Sequence, residues 1–116
     1  MPQPSAIQVT TTFTLEGYQI VEYKGLVRGL VVRAPTISQG ILGGLKSIIG
    51  GQIGAYAEMC EQARGQAYDK LIEHARNMGA NAILGLSYDT SDVGTRQMAA
   101  TEVLCYGTAV VVKAIR

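Results

Sequence analysis

From Ala55 to Met78 the chain sets small and apolar residues at helical spacing, and this stretch constrains the fold more than any other. Tyr56, Met59, Cys60, Ala63, Ala67, Leu71, Ala75 and Met78 fall on one stripe, while Glu58, Glu61, Arg64, Asp69, Lys70, Glu73 and Arg76 lie mostly off it, the pattern of a helix with one buried face. Glu61 with Arg64, and Glu73 with Arg76, are i, i+3 pairs of modest worth. Gly79 stands where a left-handed residue can end the helix. One stripe needs one surface to cover, and strand-like stretches on either side supply it.

The first is Ile20 to Arg33, IVEYKGLVRGLVVR. Val21, Tyr23, Val27 and Val31 fall on one face with Gly25 and Gly29 between them; Glu22, Lys24 and Arg28 fall on the other, beside Leu26 and Leu30. That is period-2 alternation blurred toward burial on both sides. The two glycines predict a bulge, or another backbone packed close. A shorter strand is expected over Thr10 to Leu15 with a turn at Glu16-Gly17, and Ala34-Pro35 ends the long strand. Ser38 can cap a short helix over Gln39 to Ile49. After the long helix come a strand over Ala82 to Asp89, a polar loop over Thr90 to Thr95 and a strand over Thr101 to Val112. The last two read as an antiparallel pair. The expectation is a single α+β domain spanning 1–116, an antiparallel sheet covered by one long helix.

Composition narrows the partners. A net charge of +1 and a pI of 7.8 argue against nucleic acid, which calls for a clustered basic face. Only 16% of residues are charged, against about 25% in an ordinary domain, so part of the surface is expected to be buried in a homo-oligomer. No run reaches the ~18 apolar residues of a spanning helix, and no membrane contact is expected. MPQPSAIQVTTT has neither basic region nor apolar core and is not read as a signal peptide. A cytoplasmic setting is expected, and Cys60 and Cys105 suit it as free thiols.

The stretch GGLKSIIGGQIGAY, Gly43 to Tyr56, resembles a phosphate cradle, but G-x-x-x-x-G-K-[ST] requires glycine where Leu45 precedes Lys46. Packing accounts for these glycines better. Gly50, Gly51 and Gly54 are read as sites of positive φ between two helices, where a neighbouring subunit approaches, and Tyr56 joins them as an interface candidate. Zinc takes four ligands, or three and water. Cys60, Cys105 and His74 are the weak candidates, and Cys60 and His74 stand ~21 Å apart on one helix at 1.5 Å per residue. No zinc site is expected within one chain, copies of one residue meeting at a ring axis being the exception. Asp89 to Gly94, DTSDVG, begins like a calcium loop but places Val93 and Ala100 where oxygen ligands belong; Asp89 and Asp92 are read as capping a hairpin turn. Glu22, Glu102 and Tyr23 are the residues an active site at a subunit interface would use. Pairing of Glu22 with Lys24 or Arg28 is the competing assignment.

Several motifs run together in order: T-L-E-G at Thr14 to Gly17, I-V-E-Y at Ile20 to Tyr23, G-L-V-R-G at Gly25 to Gly29, G-G-Q-I-G-A-Y at Gly50 to Tyr56, A-R-N-M-G-A-N-A-I-L-G at Ala75 to Gly85 and G-T-A-V at Gly107 to Val110. The set resembles the YbjQ-like family of small, functionally uncharacterised bacterial proteins, which carries a heavy-metal-binding label. The resemblance implies a dodecin-like subunit in a ring-shaped homopentamer. It transfers no catalytic residue, and it implies a metal ion as cofactor by label alone. Some members have Cys directly after the E-Y pair; Lys24 stands there in this chain and removes one soft ligand. The expected function is a homo-oligomer binding a metal ion or small ligand, with an interface enzyme as the alternative.

Overall fold

A computed structural model describes residues 6–34, 51–94 and 99–115. Its elements are β1 (Gln8–Val9), β2 (Tyr18–Arg33), α1 (Gly51–Asn77), β3 (Ala82–Gly94) and β4 (Ala99–Ala114), and the sheet order is β1-β3-β4-β2. β4 pairs antiparallel with β2 on one side and β3 on the other. β1 runs parallel to β3 at Gln8↔Ala82 and Val9↔Ile83, so the sheet is mixed and not purely antiparallel. The chain is α+β, and among the described residues one helix packs on one side of the sheet.

The predicted helical stripe is the one that is buried. Ala63, Ala67, Leu71 and Ala75 pack with Val27, Val31, Ile83, Val103, Cys105 and Ala109. Met78, with a half-buried side chain, packs at the margin of this cluster. Alanine at i, i+4 steps brings the helix backbone close to the sheet. Gly29 makes that approach feasible: a Cβ there would land on the Ala67 carbonyl oxygen and 2.8 Å from the Leu71 nitrogen. The helix ends as expected. Gly79 takes φ 84°, its N–H reaches the Arg76 carbonyl at 3.0 Å, and the Ala80 N–H reaches the Ala75 carbonyl at 3.0 Å, the paired bonds of a Schellman cap.

Each of the two strand glycines does one of the jobs predicted for the pair. Gly29 admits the helix, whereas Gly25, at φ 112°, sits at a bulge. Pairing of β2 with β4 shifts register between Ile20 and Glu22 and again between Tyr23 and Gly25. Each shift inserts one residue and flips the side chains that follow. Tyr23 is therefore opposite Val110 on the side away from the helix, not beside Val27 and Val31 as strict alternation implied. On that far side a second cluster of Ala82, Leu84, Val110 and Val112 is covered by Leu15, Tyr18 and Ile20.

Other boundaries moved. Thr10 to Leu15 forms bends instead of a strand, although the Gly85 and Leu86 N–H groups donate to the Thr12 and Thr10 carbonyls at 2.8 and 3.0 Å. The turn at Glu16-Gly17 is present, with Gly17 at φ 86°. β3 continues to Gly94, so Asp89 and Asp92 lie within a strand and cap no turn; long antiparallel pairing with β4 outweighs their turn preference. The expected short helix over Gln39 to Ile49 lies outside the described residues. Asn81 joins the two halves: its Nδ2 donates to the Val112 carbonyl at 3.0 Å and its Oδ1 accepts from the Val112 N–H at 2.8 Å.

Candidate functional site

Pairing along β2, β4 and β3 defines what the far side of the sheet presents beyond the Leu15 cover. Leu26 is opposite Thr108, Arg28 opposite Tyr106, Leu30 opposite Leu104 and Val32 opposite Glu102. Ser87, Asp89 and Ser91 of β3 continue the rows beyond Tyr106, Leu104 and Glu102. This side is bare. Tyr23 is 69% exposed, Leu26 60%, Val32 56%, Leu30 45% and Tyr106 37%. Five large apolar residues on one sheet face form the kind of contiguous patch that marks an interaction site.

The sequence-predicted residues scatter. Glu22 pairs with Lys24, Nζ to Oε2 at 3.1 Å, as its competing assignment held. Tyr23 and Glu102 share the bare side but lie at the β4 positions Val110 and Glu102, about 27 Å apart at ~3.4 Å per residue. Tyr56 faces the sheet, its hydroxyl 3.0 Å from Thr101 Oγ1. Gly51 and Gly54 belong to the first turns of α1, so they are helical, and the positive φ expected of a hinge is not found; Gly54 is exposed, with open space where a Cβ would stand. The helical pattern extends upstream because a glycine in the first turn weakens a helix without stopping it. Gly50 lies outside the described residues.

The soft donors do not gather. Cys60 is half-buried on α1 and Cys105 fully buried in β4; both are free thiols. Burial pushes the Cys105 thiol above its ordinary range, against a hydrogen bond from Tyr88 that lowers it. Burial, followed by the charge Cys105 takes when it ionises and by the hydrogen bond between the two, pushes the Tyr88 phenol up to about 12. A buried thiol held protonated is a packing group and not a ready metal ligand. His74 lies at the open edge of β2, where its Nδ1 accepts from the Arg28 N–H at 3.2 Å. No cluster of three or more His, Cys, Asp or Glu side chains that could hold a metal occurs among the described residues. These donors do not fit a heavy metal within one chain. The axial exception is closed to Cys105, whose side chain is sealed between sheet and helix.

Fold and surface together define a small α+β domain whose sheet is roofed by a helix on one side and, among the described residues, largely bare on the other. Residues 7–113 match the YbjQ family model, described as "Putative heavy-metal-binding", and the chain belongs to that family. It is 57% identical over 106 residues to a UPF0145 protein of Legionella pneumophila (strain Lens), covering 91% of this chain and 98% of that protein. It is 53% identical over 105 residues to a UPF0145 protein of Francisella tularensis subsp. tularensis (strain WY96-3418), covering 90% and 98%. Among solved structures, a protein with unknown function from Pediococcus pentosaceus superposes with a TM-score of 0.67 at 21% identity, covering 92% of this chain and 98% of that one; that likeness shows the fold alone.

Sequence reasoning named Arg28 and His74 in other roles but not their contact, which runs through the backbone and which no side-chain pattern reports. It missed Asn81, which acts as a surrogate strand residue; its place between the end of α1 and β3 is the sequence hint.

Proposed function

We propose that this chain is a non-enzymatic assembly module, a homo-oligomer that buries the bare side of its sheet against further copies of itself in a closed ring. The observation that carries this reading is the exposed row of Tyr23, Leu26, Leu30, Val32 and Tyr106. Burying apolar surface contributes roughly 25 cal/mol per Å², and a large exposed patch of it invites a partner. The low charge content agrees, since a surface that becomes an interface core is depleted of charged residues. Family resemblance supplies the copy number, five. A small ligand or ion is then held between copies, because a single chain gathers no donor set for it among the described residues. The two free thiols suit a reducing compartment, and a cytoplasmic location goes with that.

Native mass spectrometry and sedimentation velocity of the full chain test the assembly. Wild type should run as one closed species above monomer, and Leu26→Glu/Leu30→Glu should run as folded monomer. A monomeric wild type that loses stability on Leu30→Glu would assign the bare side to an intramolecular cover and refute the reading. No observation favours the interface-enzyme alternative: within one chain Glu22 is paired with Lys24, and Tyr23 and Glu102 are not brought together.

A further inference from the structure

We propose that Arg28, Tyr106 and Thr108 form the head-group half of a site for a monocarboxylate with an apolar body, which lies along the bare side over Leu26 and Tyr23. The proposal rests on the assembly reading and names the class of ligand that copies of the chain hold between them.

Register brings the polar groups together. Arg28 is directly opposite Tyr106, and Leu26 directly opposite Thr108, so both hydroxyls stand beside the arginine on one side of the sheet. The Arg28 N–H donates to His74 Nδ1 at 3.2 Å and therefore points away from β4. Arg28 and Tyr106 are then a non-hydrogen-bonded pair, the kind whose side chains approach most closely. Arginine keeps its charge at every working pH and only donates. The ion pair among the described residues joins Lys24 to Glu22. Among those residues no hydrogen bond or ring contact engages the Arg28 guanidinium, the Tyr106 hydroxyl or the Thr108 hydroxyl. Donor groups thus share one patch of the sheet without an acceptor.

Charge selects the ligand. Leu26 and Leu30 flank Arg28 on its own strand, and Leu104 flanks Tyr106. Closing a second copy over a lone guanidinium in such surroundings is costly unless a counter-charge comes with it. The acids of the same side stand off. Glu102 is about 14 Å along β4 from Tyr106, and Asp89 about 12 Å from Arg28, at ~3.4 Å per residue and ~4.8 Å between strands. They disfavour a second negative charge, so a monoanion suits the patch better than a phosphate carrying about −1.5 to −2. The planar guanidinium matches the two oxygens of a carboxylate.

The apolar body follows from the direction away from the acids. Beyond Thr108 that direction presents Leu26 and Tyr23, 60% and 69% exposed, with Tyr23 opposite Val110. Tyr106 to Val110 spans about 14 Å at ~3.4 Å per residue, the length of an extended aliphatic chain. A flat sheet gives such a ligand one wall, and the facing copy supplies the other.

Isothermal titration calorimetry of the wild-type chain with decanoate, decanol and acetate tests this, with native mass spectrometry reporting copy number. Decanoate should bind. Decanol, which lacks the charge, and acetate, which lacks the body, should each bind at least about tenfold more weakly. Arg28→Ala should weaken decanoate by about tenfold or more, the loss expected for a charged hydrogen bond. Tyr106→Phe, which removes a hydroxyl alone, should weaken it several-fold and serves where Arg28→Ala does not assemble. An assembled wild type that takes up no decanoate, as when an acid of a neighbouring copy occupies Arg28, overturns the ligand while the assembly reading stands. Uptake that decanol matches, or that both variants leave unchanged, does the same. A monomeric wild type that binds decanoate through Arg28 overturns the assembly alone, and a monomeric one that binds none overturns both.

Discussion

Gly29→Ala is a one-methyl change whose cost can be read from the structure. The added Cβ would sit on the Ala67 carbonyl oxygen, 2.8 Å from the Leu71 nitrogen and 3.0 Å from the Ala67 carbonyl carbon. Non-bonded carbon contacts are favourable at ~3.5–4.0 Å, so the helix must retreat by about 1 Å along the two turns that press on β2. The struck atoms are backbone, with no rotamer to swing aside, and the retreat loosens Val27, Val31 and Leu71, all within the buried core. Overpacking costs about 1–3 kcal/mol, and rigid partners put this site at the upper end, ~3 kcal/mol of a total on the order of 5–15. At about 4 °C per kcal/mol for a chain of this size, Tm should fall by ~12 °C. Thermal and urea unfolding followed by circular dichroism measure it, at one protein concentration because any self-association couples to stability. Gly54→Ala is the matched control: it lies in a helix with open space at the Cβ position, so alanine should be neutral or stabilise by up to ~1 kcal/mol. If Gly29→Ala unfolds within about 0.5 kcal/mol of wild type, the close helix–sheet approach is not what glycine serves here.

Asn81→Ala leaves the Val112 N–H and carbonyl without the side-chain partners they now have; unsatisfied buried groups cost about 1–3 kcal/mol each, so a loss of ~2–4 kcal/mol is expected, with faster hydrogen exchange at the Val112 amide. Tyr88, pushed up to about 12 from 10.0, is held neutral by the fold, so its contribution to stability is fully present below pH 10 and lost between pH 10 and about 12; spectrophotometric titration should show one of the six tyrosines ionising late, and Tyr88→Phe should remove that step. After dialysis, elemental analysis should find well under one zinc per chain, and a stoichiometric one per chain would contradict the scattered donors.

The helix was legible because its stripe is long, periodic and closed by Gly79, three signals that agree. The β3–β4 pair was legible for the same reason, since continuous apolar runs flank a turn-rich stretch. The facing of β2 was not. Two bulges rephase Tyr23, and period-2 counting has no way to register an inserted residue. Asp89 and Asp92 misled because local turn preference was weighed without the long ladder that overrides it. Gly51 and Gly54 misled because glycine is permissive: the residue that allows positive φ also allows a helix. At the candidate surface, the exposed residues Tyr23, Leu26 and Leu30 were all within a strand read as buried on both sides. That reading did not separate the two faces, since burial by a neighbour and burial by the chain's own core leave the same pattern.

The bare side and the heavy-metal label make different demands on the same fold. A soft metal asks for thiolates, and this chain keeps Cys105 under the helix with its proton favoured and Cys60 half-buried on the helix itself. Reaching Cys105 means lifting α1, with its Ala67 and Leu71, from Val27, Val31 and Val103, which is the main core. The bare side offers instead the carboxylates of Asp89 and Glu102 beside Ser87 and Ser91, oxygen donors suited to hard cations and too dispersed within one chain to hold one. Assembly makes the smaller demand. It buries residues already exposed, among them Tyr23, Leu26, Leu30, Val32 and Tyr106, and asks for no change in the core. The arrangement of this sheet therefore supports self-association directly, and supports metal binding only through positions that copies of the chain bring together.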